Sequence, residues 1–471
     1  MSSTTERQRG QVLAIFALSL TVLLGAGALA FDGGMMILER RDQQNAADAA
    51  AMAGARYVTT DHAKARSVAA SVATDNGFTN GNGMEVVKVN VPPATGKFAT
   101  WPNAIQVESA NTRPSILGAV RGFINWPVSA SAPAASVDDV GGPYSILSLE
   151  KTACEAMKIA GTGGITAYGN LQVNSSCPTA ALMRQAGGTV DTIALTAESA
   201  RCNVVGGIQN EGGDPNNLNC DPVSGAPFVP DPLDDLPDVD PAPALPLDAE
   251  QLVGNKRIPN GCPGSSSPAT FNNPAVCQFP SNYKDTTWKL HPGSYPGGIK
   301  IQAGNFYFEP GIYYIGGGGL EITGNGSFIK SVEKNSTIEG GGVLFYNTAI
   351  PGVPLGNIYL NGASANIHLW PLDELEGTWA STWNGLIVYQ DREFSYDGDD
   401  LTVNGNVSLG MDVRGTIYLP TGDVKINGNE GDLVMDQIIS MTYVVNGNGG
   451  DILALKDKDH IFKFTAAGLV E

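Results

Sequence analysis

The hydrophobic pattern opens on an uninterrupted apolar run. Val12 to Phe31 carries no Lys, Arg or Glu, and Arg7 and Arg9 lie just before it. About twenty helical residues at about 1.5 Å each cross a hydrocarbon core of roughly 30 Å. The expected membrane-facing positions are Val12, Leu13, Ile15, Phe16, Leu18, Leu20, Leu23, Leu24, Leu29 and Phe31. The arginines predict an N-in orientation, with residues 1–10 a cytoplasmic head, 11–31 a transmembrane helix and the remainder outside the cytoplasm. At 39–58 the pattern turns charged and alanine-rich without losing its helical character (ERRDQQNAADAAAMAGARYV), so 32–58 reads as an extracytoplasmic continuation of the same helix. Continuous from Gln11 to Val58, that helix extends about 72 Å. Ala46, Ala47, Ala50 and Ala53 are its expected packing positions, against partner helices in an assembly or against the chain's own head domain. Two processed forms stay open. Ala28-Leu29-Ala30 fits a signal-peptide site, and Arg9-Gly10-Gln11 looks like a prepilin site, although Ile15 stands where such precursors carry glutamate.

Residues 59–140 read as a small α+β domain. Lys64–Asn76 has a helical apolar stripe ending near Gly77, and Ser115–Phe123 reads as a short helix after Pro114. Glu85–Val91, Ala104–Ser109 and Val128–Val137 read as strands, which predicts a helix lying on a small antiparallel sheet.

From residue 141 to 471 repetition dominates. A unit of alternating apolar positions around Gly-Asn recurs at Gly169-Asn170, Gly304-Asn305, Gly324-Asn325, Gly405-Asn406, Gly428-Asn429 and Gly447-Asn448, with a degenerate copy at Gly362-Ala363. Successive glycines from 304 are 20, 38, 43, 23 and 19 residues apart, close to one or two turns of about 20 residues. Short strands that cannot bury their own apolar face stack and pair in parallel. The predicted fold is an all-β, parallel and right-handed β-helix, with Gly-Asn at φ > 0 corners and the asparagines in one amide ladder. An antiparallel sandwich is the rival and suits the spacing less well. Residues 226–246, with seven prolines and Asp231, Asp234, Asp235, Asp238 and Asp240, are expected as a solvated surface excursion.

Composition narrows the functions. A net charge of −19, from 47 acidic and 28 basic side chains, argues against nucleic acid as a partner. Six cysteines confined to Cys154–Cys277 read as three disulfides of an exported chain. Sequence neighbours pair Cys154–Cys177, Cys202–Cys220 and Cys262–Cys277, among fifteen connectivities. Neither the cysteines nor His62, His291, His368 and His460 suggest a metal site, and no cofactor motif appears. Asp391, Arg392 and Glu393, with Asp373, Glu374, Glu376 and Trp370, Trp379 and Trp383 nearby, form the one set resembling a polysaccharide-binding or polysaccharide-cleaving face. The competing reading is a structural Asp391–Arg392 ion pair, and no catalytic residue is assigned.

Residues 9–55 resemble the N-terminal segment of TadG-like proteins of the Flp/Tad pilus-assembly system. Arg9-Gly10-Gln11, Asp32-Gly33 and Gln44-Asn45-Ala46-Ala47-Asp48-Ala49-Ala50-Ala51 carry the likeness. Phe308–Tyr313, Gly385–Arg392 and Gly415–Pro420 resemble strands and turns of the Gly/Asn-rich β-helix region found in such proteins. The resemblance implies a bacterial inner-membrane-anchored protein with its bulk periplasmic or cell-surface exposed, acting in pilus assembly, anchoring or adhesion. It also implies a pseudopilin-like character for 59–140. Implied partners are the membrane and Tad/Flp pilus or secretion-system components, with cell-surface polysaccharide a further candidate. The D-x-S-x-S metal site of some TadG-like proteins is missing from this sequence. Two alternatives remain: a membrane-tethered β-helix that binds or cleaves polysaccharide, and a pseudopilin-like filament subunit displaying a β-helix.

Overall fold

The computed structural model describes residues 4–469 except 59–60, 82–85, 97–98, 100–103, 116–124, 141–143, 162–163, 186–188, 193–199, 212–217, 221, 227, 241, 325–326, 332–340, 362–364, 373–381, 407–410, 430–432, 449–450 and 455–463. The chain divides into two compact units. One comprises 1–138, 227–229 and 465–471, and the other 139–226 and 230–464.

In the first unit a single helix, α1 (Thr4–Ala55), runs through Asp32-Gly33-Gly34 without a break. A second helix, α2 (His62–Asp75), starts where the Asp61 carboxylate accepts the Ala63 and Lys64 amides at 2.8 and 3.0 Å, and stops before Gly77 at φ +91°. Strands Val86–Asn90, Ala104–Pro114 and Asn125–Val140 pair antiparallel, and Phe464–Leu469 completes the sheet. A helix on an antiparallel sheet is therefore present. The helix expected at Ser115–Phe123 lies outside the described residues beyond Ser115. Ala65, Ala69 and Val72 of α2 and Ile105 and Val107 of the sheet enclose the alanine face of α1.

The second unit is β-rich and its long-range pairing is parallel, in three columns. The first runs Cys277–Phe279, Ile299–Ile301, Leu320–Ile322, Ile358–Asn361 and Leu401–Asn406, then 424–429 and 442–448. The second runs from Thr287–Leu290 through Asn305–Phe308, Ser327–Ser331 and Ala365–Leu369 to 411–413, 433–435 and Asp451–Ala454. The third runs from Gly293–Tyr295 through Gly311–Gly316, Val343–Thr348 and Leu386–Gln390 to 416–419 and 437–440. Every strand thus meets the one a full tier away, and the apolar residues between the columns form one continuous core.

Stacking order departs from chain order. Beyond 437–448 each column continues into the earlier part of the chain: 442–448 pairs with Met157–Gly161, 437–440 with Tyr144–Ser148, and Asp451–Ala454 with Gly164–Ala167. Those strands carry on to Leu182–Arg184, Thr189–Thr192 and Cys202–Val204, and the third column ends at Val223–Ser224. The opposite end is covered by Glu250–Val253, antiparallel to Thr287–Leu290. The glycine spacing could not reveal this, because it measures neighbours along the chain and not across it.

Three expectations need correcting. Gly428 and Gly447 lie inside strands without positive φ, so Gly428-Asn429 and Gly447-Asn448 are not corners. Gly169 and Gly304 do have positive φ, +143° and +103°. The Gly-Asn amides do not form one ladder either. Asn406, Asn429 and Asn448 align, whereas Asn170 stands beside Tyr144 and Asn305 beside Thr287. Asn325 lies outside the described residues, and so does Gly362-Ala363. Gly324 is described. The amide contact observed joins Asn427 to Asn404 at 2.7 Å, one position inward of the Gly-Asn glycine. Finally, Cys154–Cys177 and Cys262–Cys277 are bonded, whereas Cys202 and Cys220 are buried neighbours within hydrogen-bonding reach and carry no disulfide in the structure. The hydrogen bond with the neighbouring Cys220 thiol, and then burial, hold Cys202 well above the usual thiol range.

Corners are made elsewhere, by glycines that admit no Cβ. At Gly319, φ is +72° and a Cβ would lie 2.1 Å from the Asn357 carbonyl oxygen of the next tier. Gly352, at φ +84°, has nothing within 4 Å. Gly319→Ala is expected to lower stability by about 3 kcal/mol or more, combining a clash with left-handed strain, while Gly352→Ala costs only the strain, about 1 kcal/mol. Thermal unfolding of both variants checks this, with a clearly larger fall in Tm for Gly319→Ala.

Candidate functional site

Two regions carry functional geometry. The first is α1, whose surface changes character along its length. Ile15, Phe16, Leu18, Leu20, Val22, Leu23, Leu24 and Phe31 are exposed. The backbone of Val12, Leu13 and Leu29 is helical, and their side chains fall outside the description. Residues Ile15–Ala55 contain a stretch of mean hydropathy 1.9 that is long and apolar enough to cross a membrane. Leucines exposed to water forfeit burial worth about 25 cal/mol per Å2, so this stretch is suited to an apolar environment.

Above that stretch the helix is held from the side. Asp32 is buried and accepts the Ser115 hydroxyl at 2.5 Å. Glu39 takes the Arg113 guanidinium at 3.0 Å and the Asn111 amide at 3.3 Å. Ala46, Ala47, Ala50 and Ala53 are all at most 2% exposed, enclosed within their own unit. Gly54 explains the closeness of the fit: a Cβ there would lie 2.5 Å from Ile105 Cδ1 and 2.8 Å from the Ala65 carbonyl. Of the two arrangements open for this face, packing on the chain's own head domain is the one observed.

The second region is the outer side of the third column, where Pro230 onward crosses the stack as a strap. This segment must run from the Val223–Ser224 end to the Glu250–Val253 end, past every tier between. It is not the extended, solvated excursion expected: residues 232–235 form a turn closed by the Leu236 amide on the Leu233 carbonyl at 2.9 Å, and one side of the segment is buried while Asp234, Asp235 and Asp240 stay exposed. Leu233, Leu236 and Val239 are 2%, 8% and 2% exposed. The turn at 232–235 brings Leu233 and Leu236 to the buried side, and Val239 follows on the same side.

Beneath the strap lie Tyr314, Tyr346, Tyr389 and Tyr418, aligned by register, with successive ring centroids 5.4, 5.1 and 5.3 Å apart. Arg392 stands over the Tyr389 and Tyr418 rings at 5.5 and 5.4 Å. Its Nη1 donates to the Leu236 carbonyl at 2.6 Å and reaches Asp238 at 3.4 Å, and its Nη2 donates to the Leu233 carbonyl. The Tyr418 hydroxyl donates to Asp231 at 2.6 Å, the Tyr389 hydroxyl donates to Asp238, and Trp383 Nε1 donates to the Pro237 carbonyl at 2.9 Å. Nearer the far end, the Ser294 amide donates to the Ala244 carbonyl at 2.9 Å. A proline-rich chain has more carbonyls than amide hydrogens, and a guanidinium, all donor and no acceptor, is the side chain that matches it.

The protonation states are fixed. Burial pushes the Tyr389 and Tyr418 phenols far above their ordinary range, reinforced by the acidic neighbours. Burial alone would lower Arg392, but the Tyr418 and Tyr389 hydroxyls and Asp231 outweigh it and hold the cation.

Arg392, Asp391, Trp383 and Trp370, the described candidates of the acid and aromatic set with side-chain contacts, each have a structural partner. Arg392 pairs with the strap and not with Asp391, which instead accepts the Thr348 hydroxyl at 2.6 Å and the Glu393 amide at 2.9 Å. Trp370 stacks against Arg414 at 5.9 Å, while Asp373, Glu374, Glu376 and Trp379 lie outside the described residues. Among the described residues no group of His, Cys, Asp or Glu is arranged to hold a metal ion. The tyrosine ladder had no local signal in sequence, since its members stand 32, 43 and 29 residues apart.

Residues 10–56 match the family model described as putative Flp pilus-assembly TadE/G-like. That match spans the exposed apolar stretch and the buried alanine face of α1 together. No curated protein and no solved structure matches the chain.

Arg392→Ala removes the guanidinium's hydrogen bonds to two strap carbonyls and two phenols and is expected to cost about 2 kcal/mol or more. Limited proteolysis should then cut within 230–246 several-fold faster. Asp234→Ala, at an exposed strap position, should leave both the rate and Tm unchanged.

Proposed function

We propose that this protein is a membrane-anchored structural component of a Tad-type pilus-assembly system. In this reading it crosses the bacterial inner membrane once, N-terminus in, and acts outside the cytoplasm in pilus assembly, anchoring or surface adhesion. The observation that carries the reading is the two-faced helix within the matched segment 10–56, apolar and exposed before Asp32 and alanine-rich and enclosed after Gln43. The membrane takes the first part, and the small α+β unit, pseudopilin-like in this reading, clamps the second.

The large unit is then a parallel β-helix closed by its own strap. Two disulfides, Cys154–Cys177 and Cys262–Cys277, suit a compartment outside the cytoplasm. A structural role is supported by the engagement of three described candidates for carbohydrate chemistry: Arg392 and Trp383 hold the strap, and Asp391 holds Thr348 and its own turn. A filament-subunit reading has less support, because the alanine face through which α1 would meet neighbouring helices is enclosed.

Gene deletion tests this directly. Pili per cell and surface attachment are expected to fall to a small fraction of wild type and to return with the intact gene. A Leu18→Arg/Leu24→Arg variant, which puts two charges in the apolar stretch, should fail to restore them and should leave the membrane fraction. Normal piliation and attachment in the deletion strain would overturn the proposal.

A further inference from the structure

The apolar surface of α1 ends at different heights on its two sides. On the side facing the small sheet, Asp32, Glu39 and Gln43 share one stripe at i, i+7 and i+11, and the unit takes hold as early as Asp32. On the other side Phe31, Met35 and Leu38 share a stripe at i, i+4 and i+7. Each of these is at least half exposed, and so is Ile37. A Cβ on Gly34 would meet nothing within 4 Å, so this side is open throughout. Charge reaches it only at Arg40, Arg41 and Asp42, all exposed. Leu38 stands about 9 Å above Asp32 along the helix axis.

The lengths say what lies against the open side. Val12–Phe31 matches the hydrocarbon core of roughly 30 Å, and continuing to Leu38 carries the apolar run about 10 Å further, into a headgroup layer. The same layer is reached by one end of the sheet. Strand Ala104–Pro114 descends beside α1: Asn111 and Arg113 meet Glu39, and Ser115, just beyond the strand, meets Asp32. Its register partners at that end are Trp126, opposite Arg113, and Asn125, opposite Pro114. Arg113, Pro114 and Asn125 are exposed, and Trp126 is half-buried. Tryptophan beside arginine suits a headgroup layer, where an amphipathic ring and a guanidinium both find partners.

We propose that the small unit is seated in the headgroup layer of the membrane, on the side away from Arg7 and Arg9. Its lipid contacts are Met35, Ile37 and Leu38 on one side of α1, and the Arg113–Pro114 and Asn125–Trp126 end of the sheet on the other. The inference rests on α1 crossing the membrane. Lipid is the occupant because the open apolar side continues unbroken from the membrane-spanning stretch. Asp32, an acid costly to present to lipid at this depth, is covered by the sheet end and bonded to Ser115. The anchor and the small unit then meet the bilayer as one rigid piece.

Nitroxide labels on the full-length protein in phosphatidylcholine–phosphatidylglycerol vesicles test this. Labels go on Leu20→Cys, Leu38→Cys, Asn125→Cys and Ser71→Cys, all at exposed positions, and the parent chain, whose unbonded cysteines are buried, gives the background. Collisions are read with oxygen, which concentrates in lipid, and with a nickel chelate, which stays in water. The Leu38 and Asn125 labels are expected to meet the chelate several-fold less often than the Ser71 label on α2, while remaining accessible to oxygen. Chelate access at Leu38 or Asn125 equal to that at Ser71, with Leu20 still protected, would overturn the seat and leave the anchor standing. Low access to both reagents at Leu38 would show protein cover in place of lipid and would also overturn it. Chelate access at Leu20 itself would overturn the membrane-spanning reading beneath it.

Discussion

Parallel pairing between chain-distant strands is the constraint on which the large unit depends. Segment 442–448 lies against Met157–Gly161 across nearly 290 residues of sequence, and 437–440 lies against Tyr144–Ser148. A stack of short parallel strands has no independent stability per tier, because each tier buries its apolar edge only against the next. The join also dictates local composition. Gly161 sits at φ +92° with its would-be Cβ 2.1 Å from the Gly447 carbonyl, and a Cβ on Gly447 would lie 2.6 Å from that of Gly428. Glycine is required there because backbone meets backbone.

The strap follows from that join. Placing the earlier strands beyond the later ones leaves the connecting chain at the wrong end of the stack, and it must return over the outside. Its prolines supply carbonyls without matching donors, while Leu233, Leu236 and Val239 give it a buried face. Arg392 and the phenols of Tyr389 and Tyr418 complete the match. A chemistry resembling a carbohydrate-binding face is thus explained as the receptor for the chain's own crossing segment.

Much of this was legible in sequence, and the failures are physical. The apolar run, α2 with its stop at Gly77, the antiparallel strands and the β-rich repeats were readable because periodicity is a local property. Cys154–Cys177 and Cys262–Cys277 are neighbours along the chain and were anticipated by spacing. The unbonded contact of Cys202 with Cys220 was not, since parity counts cysteines without regard to their bonding. Gly428-Asn429 and Gly447-Asn448 read as corners because glycine serves two needs: positive φ, as at Gly304 and Gly319, and close stacking, as at Gly447. The strap was misread because seven prolines and five acids suggest solvation, and its burial depends on tyrosines remote in sequence.

The functional account joins these parts: an apolar helix for the membrane, an enclosed alanine face that fixes it to a small domain, and a strapped parallel stack as the displayed surface. Its central structural claim is the out-of-order join, and a short thiol cross-linker tests it most directly. With Lys158→Cys and Val444→Cys, register partners in the first column, the two positions should cross-link within one chain as efficiently as Lys425→Cys with Val444→Cys, their counterpart between consecutive tiers. Cross-linking of the second pair without the first would show that the earlier strands stack elsewhere, and would contradict the account.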